Sequence, residues 1–271
     1  MARKYQSVLV TGASSGMGKD FAHRLLRDGM TVYAAARSVD KMKDLAEAGA
    51  KVIAMDITKD EDIVAAVEQI MADVGGVDVL INNAGYGQYG PMEETPIQTA
   101  RYQFEVNLFG LARLTQLLLP AMREQQSGLI INISSMGGKI YTPLGSWYHA
   151  TKHALEGWSD CLRIELKPYG IGVVIIEPGL IETGFGGAVV TNFQSSEISA
   201  YAGIIEKLRA AAQESGAGSP PAVITSLVVR AINATKPKTR YAAGRMGPSA
   251  MFMRCLLPDR WFDRIIMSQF T

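Results

Sequence analysis

Cysteine is nearly absent: the 271-residue chain has two, Cys161 and Cys255, set far apart. A disulfide framework is therefore not expected, and both read as reduced thiols of a cytosolic protein. Histidine is scarce too, and His23, His149 and His153 make no metal-ligand spacing with either cysteine, so no metal site is expected. An excess of one charge is also missing. Twenty-seven Lys and Arg against 26 Asp and Glu leave a net charge of +1, which gives no electrostatic case for nucleic acid or an anionic membrane. No apolar run reaches bilayer-spanning length, and the lead into the first strand pattern is too polar for a signal peptide. The expectation is a soluble cytoplasmic protein. Neither repeats nor a break in composition appear, so residues 1–271 read as one domain, and 48% hydrophobic residues suffice for a large core.

What is present centres on Tyr148-His149-Ala150-Thr151-Lys152. On a helix, positions i and i+4 share a face, so the phenol and the ammonium can enter one site. A free tyrosine has a pKa of about 10 and is a poor base at neutral pH. An ammonium about 4 Å away, at an effective dielectric near 20, favours the phenolate by roughly 4 kcal/mol. That is about three pKa units, an upper figure because water weakens it, and it leads to the expectation of a phenol titrating near neutrality.

The chain ahead of this pair alternates strand and helix patterns. Ser7–Val10 is a short apolar run, and Thr11-Gly12-Ala13-Ser14-Ser15-Gly16-Met17-Gly18 follows it into a helical pattern ending near Asp28-Gly29. Glycines there let the backbone approach an anion, and the free N–H groups of a helix start face it, which is phosphate-binding chemistry. The spacing is Gly-x-x-x-Gly-x-Gly rather than the commoner dinucleotide fingerprint. Residues 31–36 form a second strand and Arg37-Ser38 follow it, where an acid would bind a ribose 2′-hydroxyl. A guanidinium suits a 2′-phosphate instead, so NADP(H) is favoured over NAD(H).

Further strands are expected at 51–55, leading to Asp56-Ile57 beside an adenine edge, at 77–81, leading to Asn82-Asn83-Ala84-Gly85, and at 129–133, leading to Ser134-Ser135. A sixth at 171–176 ends at Glu177-Pro178-Gly179, and a last one is expected at 239–243. Helices are expected at about 60–74, 98–125, 146–167 and 220–234. Asn107, inside an apolar helix, is costly unless fully hydrogen-bonded, and reads as a structural bridge or a proton-relay member. This alternation implies a doubly wound parallel sheet with helices on both faces, a single-domain α/β Rossmann fold with ligands at the carboxyl ends of the strands. Residues 184–218 are weakly patterned and read as a substrate loop, and 246–271 as a hydrophobic C-terminal extension.

Taken together, Thr11-Gly12-x-x-x-Gly16-x-Gly18, Asn82-Asn83-Ala84-Gly85, Asn107, Ser135, Tyr148-x-x-x-Lys152 and Pro178-Gly179 with Thr183 resemble the short-chain dehydrogenase/reductase family over residues 7–183. The segments Lys152–Gly157, Ser159–Leu166 and Tyr86–Glu93 look most like its steroid and retinoid branch, the hydroxysteroid-dehydrogenase-like members. The resemblance implies a tetrad of Asn107, Ser135, Tyr148 and Lys152, with Ser135 preferred over Ser134 by its interval from the tyrosine. Tyr148 would be the general acid or base, Ser135 would polarise the carbonyl, Lys152 would lower the tyrosine pKa and bind the nicotinamide ribose, and Asn107 would hold a relay water. It also implies cofactor contacts from Gly12, Ser14, Ser15, Gly16, Met17, Gly18, Arg37, Asp56, Ile57, Asn83, Ala84, Gly85, Tyr148, Lys152, Pro178, Gly179, Ile181 and Thr183.

The activity this implies is NADP-dependent hydride transfer to or from a small apolar ketone or secondary alcohol, steroid- or retinoid-like, with Met136, Tyr141, Leu144, Trp147 and Phe185 flanking the site. The alternatives are a 3-oxoacyl thioester reductase and a non-catalytic NADP(H)-sensing protein. A homodimer or homotetramer through the long helices is implied, with no nucleic-acid partner. The tail around Leu256, Leu257, Trp261, Phe262, Ile265 and Ile266 is expected to pack over the pocket or a second subunit rather than on a membrane.

Overall fold

The computed structural model describes residues 4–183, 199–213 and 218–269. Seven parallel strands, β1 to β7, form one sheet in the order β3-β2-β1-β4-β5-β6-β7: Ser7–Thr11, Thr31–Ala36, Lys51–Ala54, Val79–Asn82, Gly128–Ile133, Ile171–Pro178 and Arg240–Ala243. The first three strands wind outward in one direction and the chain then crosses back to β4. The order therefore reverses between β1 and β4, and in such sheets the crevice at that reversal receives ligands.

Because successive side chains of a strand point to opposite faces, the apolar run of β1 serves two cores at once. Val8 and Val10 join Phe21, Leu25 and Val228 on one side. Leu9 joins Ile63, Leu114, Leu118 and Leu162 on the other. A fully buried side chain of this size contributes about 1.5–3 kcal/mol, so the two-sided burial of the central strands makes the sheet the rigid base of the crevice.

Helix boundaries follow the local chemistry. The helix Asp60–Val74 carries Asp60, Glu61 and Asp62 in its first turn and stops at Gly75 with φ 72°, which suits the positive end of the helix dipole and the left-handed cap. The segment expected as one helix over 98–125 is Ile97–Phe104 and Gly110–Glu124 joined by a wider π turn, Glu105–Phe109, that contains Asn107. β4 begins at Val79 rather than Val77, and the Asp78 carboxylate just ahead of it accepts the Gln6 and Ser7 amides at 2.7 and 2.8 Å.

The C-terminal extension is two helices, Gly247–Leu256 and Asp259–Met267. Ala250, Phe262 and Ile266 close over Ile140 beside the segment that follows β5. The tail thus packs on its own chain with one face, while Phe252, Leu256 and Trp261 remain exposed on the other. Of the expected substrate loop, 184–198 and 214–217 with Phe185 lie outside the described residues, and Ala202–Gln213 is a helix rather than a loop. No helix among the described residues is long and apolar enough to cross a membrane.

Candidate active site

A cleft of about 880 Å³ opens at the carboxyl ends of β1, β2 and β4. Its walls include Gly12, Ser14, Ser15, Gly16 and Met17 from the first turn, Arg37 and Ser38 from the second, Asp56 and Ile57 from the third, and Asn83, Ala84 and Gly85 from the fourth, with Thr183 across from them. Thr11 organises the rim: its hydroxyl accepts the amides of Asn83 and Ala84, each at 3.0 Å. The Asn83 side chain returns a bond from Nδ2 to the Thr11 carbonyl at 2.9 Å. Gly12 sits at φ 67°, and a Cβ there would stand 3.0 Å from the Ala84 backbone. Gly18 acts one layer further in, since a Cβ on it would lie 2.5 Å from the Gly12 carbonyl oxygen and 2.4 Å from Asn83 Nδ2. It holds helix against turn and is not part of the cleft lining.

These walls fit a dinucleotide. Main-chain amides of a helix start face the anion position, and Arg37, not an acid, directly follows β2, its guanidinium donating to Tyr102 Oη at 3.3 Å. Tyr86 and Tyr102 flank the same wall with ring centroids 5.9 Å apart. Asp56 uses its carboxylate locally, accepting the Thr58 amide and hydroxyl at 3.0 and 2.8 Å.

Pro178, Gly179 and Ile181 stand apart from this cleft lining, as do Tyr148 and Lys152. Gly179 donates to the Ala243 carbonyl at 2.8 Å, and Ile181 bridges to Ser219. They tie the end of β6 to β7 and to Ser219.

The second cluster is built on the helix Ser146–Leu166. Tyr148 and Lys152 lie one turn apart and are both buried, at 6% and 7% exposure. The Ser135 hydroxyl is hydrogen-bonded to the Tyr148 phenol and accepts the Gly137 amide at 3.0 Å. Ser134 Oγ, by contrast, is buried without a partner. Lys152 Nζ donates to the Ile133 carbonyl at 2.9 Å. Asn107 is fully buried in its π turn and uses its whole amide: Oδ1 accepts the Tyr86 N–H at 3.0 Å, and Nδ2 donates to the Tyr86 carbonyl at 2.9 Å and to Thr151 Oγ1 at 3.1 Å. The side chain is thus a bridge between the Tyr86 segment and the tyrosine helix. Gly85 lies between the clusters: a Cβ there would be 3.2 Å from Asn107 Oδ1 and 3.8 Å from Lys152 Nζ.

Protonation states depart from the sequence expectation of a phenol near neutrality. Burial pushes Tyr148 up to about 12, opposed only in part by the Ser135 hydrogen bond. Burial also pushes Lys152 down to about 8, with the Glu156 carboxylate opposing it. Spacing alone predicts mutual stabilisation of two charges; removing water penalises both charged forms first. At neutral pH the pair is an un-ionised phenol beside an ammonium, which is an acid ready to give a proton.

Several neighbours carry no sequence signal. The Tyr89 ring covers Tyr148 at 5.6 Å between centroids. Glu156 is buried one turn beyond Lys152 and pairs with Lys139 at 2.9 Å and Arg240 at 3.1 Å. Glu177, also buried, is pushed up to about 7 by burial and then by Glu156. Met136 and Tyr141 pack on the C-terminal cluster, with the Tyr141 hydroxyl donating to Asp263 at 2.9 Å.

The family model for short chain dehydrogenases matches residues 6–194. The chain belongs to the short-chain dehydrogenase family. It is 36% identical to the oxidoreductase YbbO of Escherichia coli over 262 residues, 96% of this chain and 94% of the relative. It is also 36% identical to an NADPH-dependent 3-dehydrocapnine reductase of Ornithobacterium rhinotracheale, with 95% and 94% covered. Among solved structures, a short-chain dehydrogenase from Streptomyces avermitilis superposes with a TM-score of 0.86 at 38% identity, covering 99% of this chain and 97% of that one. As a member of the family, the protein is an NAD(P)-dependent oxidoreductase with a Rossmann-like fold.

Proposed function

We propose that the protein is an NADPH-dependent reductase of apolar ketones and that Asn107, Ser135, Tyr148 and Lys152 form its catalytic tetrad. The observation that carries this reading is the hydrogen bond between Ser135 and the buried Tyr148 phenol, one helical turn from the buried Lys152. When bound along the cleft, the dinucleotide supplies the hydride that reaches the carbonyl carbon.

The chain's residues do the rest. Ser135 accepts the Gly137 amide, so its own proton is free to point at an oxygen shared with Tyr148 and to polarise it. Tyr148 gives its phenolic proton to that oxygen, general-acid chemistry worth typically 10²–10⁴ in rate. The Lys152 ammonium, one turn away, stabilises the phenolate left behind until solvent returns a proton. Asn107 holds the Tyr86 strip and Thr151, and Thr151 Oγ1 donates to the Tyr148 carbonyl at 2.8 Å, which keeps the helix start in register.

Arg37 is the group that favours the 2′-phosphate, and the relative named for NADPH supports the same preference. Its name, a reductase of a 3-dehydro compound, supports the reductive direction here. Bulky steroid- or retinoid-like ketones are the finer reading of the substrate. A 3-oxoacyl thioester is the runner-up. Exposed Ile97, Phe109 and Ile164 on the long helices supply apolar faces for a homodimer or homotetramer.

NADPH oxidation, with NADH in parallel, measured over steroid ketones, retinal, long-chain 3-oxo esters and acetoacetyl thioester tests all of this. Turnover with NADPH on an apolar ketone supports the proposal, and turnover confined to the thioester moves the assignment to the runner-up. Background rates throughout would overturn it. Arg37→Ala is expected to raise the KM for NADPH about tenfold, the scale of one charge-assisted contact, with little change for NADH.

A further inference from the structure

The residue beside the tyrosine in sequence is buried, polar and unused by the chemistry above. His149 is 6% exposed. Its Nδ1 lies 2.9 Å from the Gly137 carbonyl oxygen and its Nε2 lies 3.1 Å from the Thr142 amide nitrogen. A carbonyl only accepts and an amide N–H only donates, so the tautomer is decided: Nδ1 carries the proton and Nε2 is bare. The Thr142 hydroxyl also sits 3.0 Å from Nε2. Two points of the segment after β5, five residues apart, are therefore pinned by one neutral imidazole.

The pinned segment is the one that sets Ser135. The Gly137 amide donates to Ser135 Oγ, while the carbonyl of the same residue takes the His149 proton. Space enforces the fit, because a Cβ on Gly137 would be 3.1 Å from both His149 Nδ1 and Tyr148 Cε1, and one on Gly145 would be 2.7 Å from His149 Cδ2. Further along, Leu144 is held at φ 64°, a left-handed conformation costly for a branched side chain. Bonds on either side hold it there: Gly90 N–H to the Leu144 carbonyl at 2.8 Å, and His149 N–H to the Gly145 carbonyl at 2.9 Å.

We propose that His149 is a positioning residue: its neutral ring clamps residues 137–142 to the tyrosine helix so that the Ser135 hydroxyl and the Tyr148 phenol converge on one oxygen. The inference rests on the ketone-reductase reading of this site. Protonation of His149 would turn Nε2 into a donor facing the Thr142 N–H, and the clamp would lose that point. The titratable groups facing the ring are Tyr89 at 6.2 Å and Tyr148 at 5.7 Å between centroids, and His153, whose Nδ1 bonds the His149 carbonyl. Burial holds the imidazole below its ordinary range, which keeps the clamp closed at neutral pH.

The test compares wild type with His149→Leu, which deletes both bonds, and with His149→Gln, which keeps a donor and an acceptor in case the leucine variant does not fold. Amide hydrogen exchange on the full chain is the first readout and needs no substrate. Exchange at Gly137 and Thr142 is expected to accelerate at least tenfold in the leucine variant and less in the glutamine variant, with β5 unchanged. In wild type the Thr142 amide should loosen as His149 is titrated at low pH, while Gly137, whose carbonyl still accepts Nδ1–H, should not. Turnover with NADPH and a long-chain 3-oxo ester is the second readout: kcat should fall at least tenfold in His149→Leu while the KM for NADPH stays within twofold. Unchanged exchange at Thr142 in both variants overturns the clamp. If wild type turns over no ketone, the ketone-reductase reading fails, and the exchange data still decide whether His149 holds the segment.

Discussion

The glycine rim and the tyrosine helix lie a few residues apart in space and are built from opposite materials. The rim is main chain: the Thr11 hydroxyl and the Asn83 amide tie two turns together, and glycines let backbone meet backbone. Its ligand chemistry is that of exposed N–H groups, which change little with pH. The tyrosine helix is side chain: Tyr148, His149, Lys152 and Glu156 are all buried on one element. What each can do depends on whether burial has left it charged. The difference teaches that binding here is fixed by shape and proton transfer by desolvation, so the two should fail separately.

The sharpest break is Tyr148→Phe. It removes the acid and leaves the ring, so kcat on a ketone should drop about 10³-fold, within the range of general-acid catalysis. NADPH affinity, measured by fluorescence titration, should stay within about twofold, because the cleft walls are untouched. The converse break is Gly18→Ala. The added methyl meets the Gly12 carbonyl and Asn83, an overpacking cost of about 3 kcal/mol or less, read as a lower midpoint in urea together with weaker NADPH binding. A smaller effect sharpens the desolvation half. Glu177 is pushed up to about 7 from 4.5, so the stability it contributes is fully present below pH 4.5 and is lost as pH rises through about 7. Glu177→Gln removes that loss. At pH 8 the variant should be more stable than wild type by about 2 kcal/mol, with the gap closing by pH 4.5 in the same urea titration.

The rim was legible in the sequence because its signals are local. Glycine spacing, the strand ending at Ala36 and the helix over 60–74 each depend on neighbours in the chain, and Asn107 was conspicuous as an amide among apolar residues. The tyrosine helix was legible only in outline. Spacing placed Tyr148 and Lys152 on one face but carried no information on how much water would reach them, and so misjudged the phenol. The partners of His149 and Glu156 come from Thr142, Lys139 and Arg240, brought in by tertiary packing. The same holds for the buried chain from Asn82 to Asn132 to Ser159, at 2.9 and 2.8 Å, which joins β4, β5 and the helix. The π turn at Glu105–Phe109 contains Asn107, and no residue type announces it.

The central claim is that Tyr148 works as a buried acid that keeps its proton at neutral pH. Carbon-13 NMR of the protein labelled at the tyrosine ring carbon bearing oxygen, followed from pH 6 to pH 11 with Tyr148→Phe to assign the signal, reads this directly. The Tyr148 resonance should hold its phenol position throughout, in keeping with a value raised to about 12. A phenolate shift with a midpoint near pH 7 would contradict the account and restore the lysine as the dominant influence on the phenol.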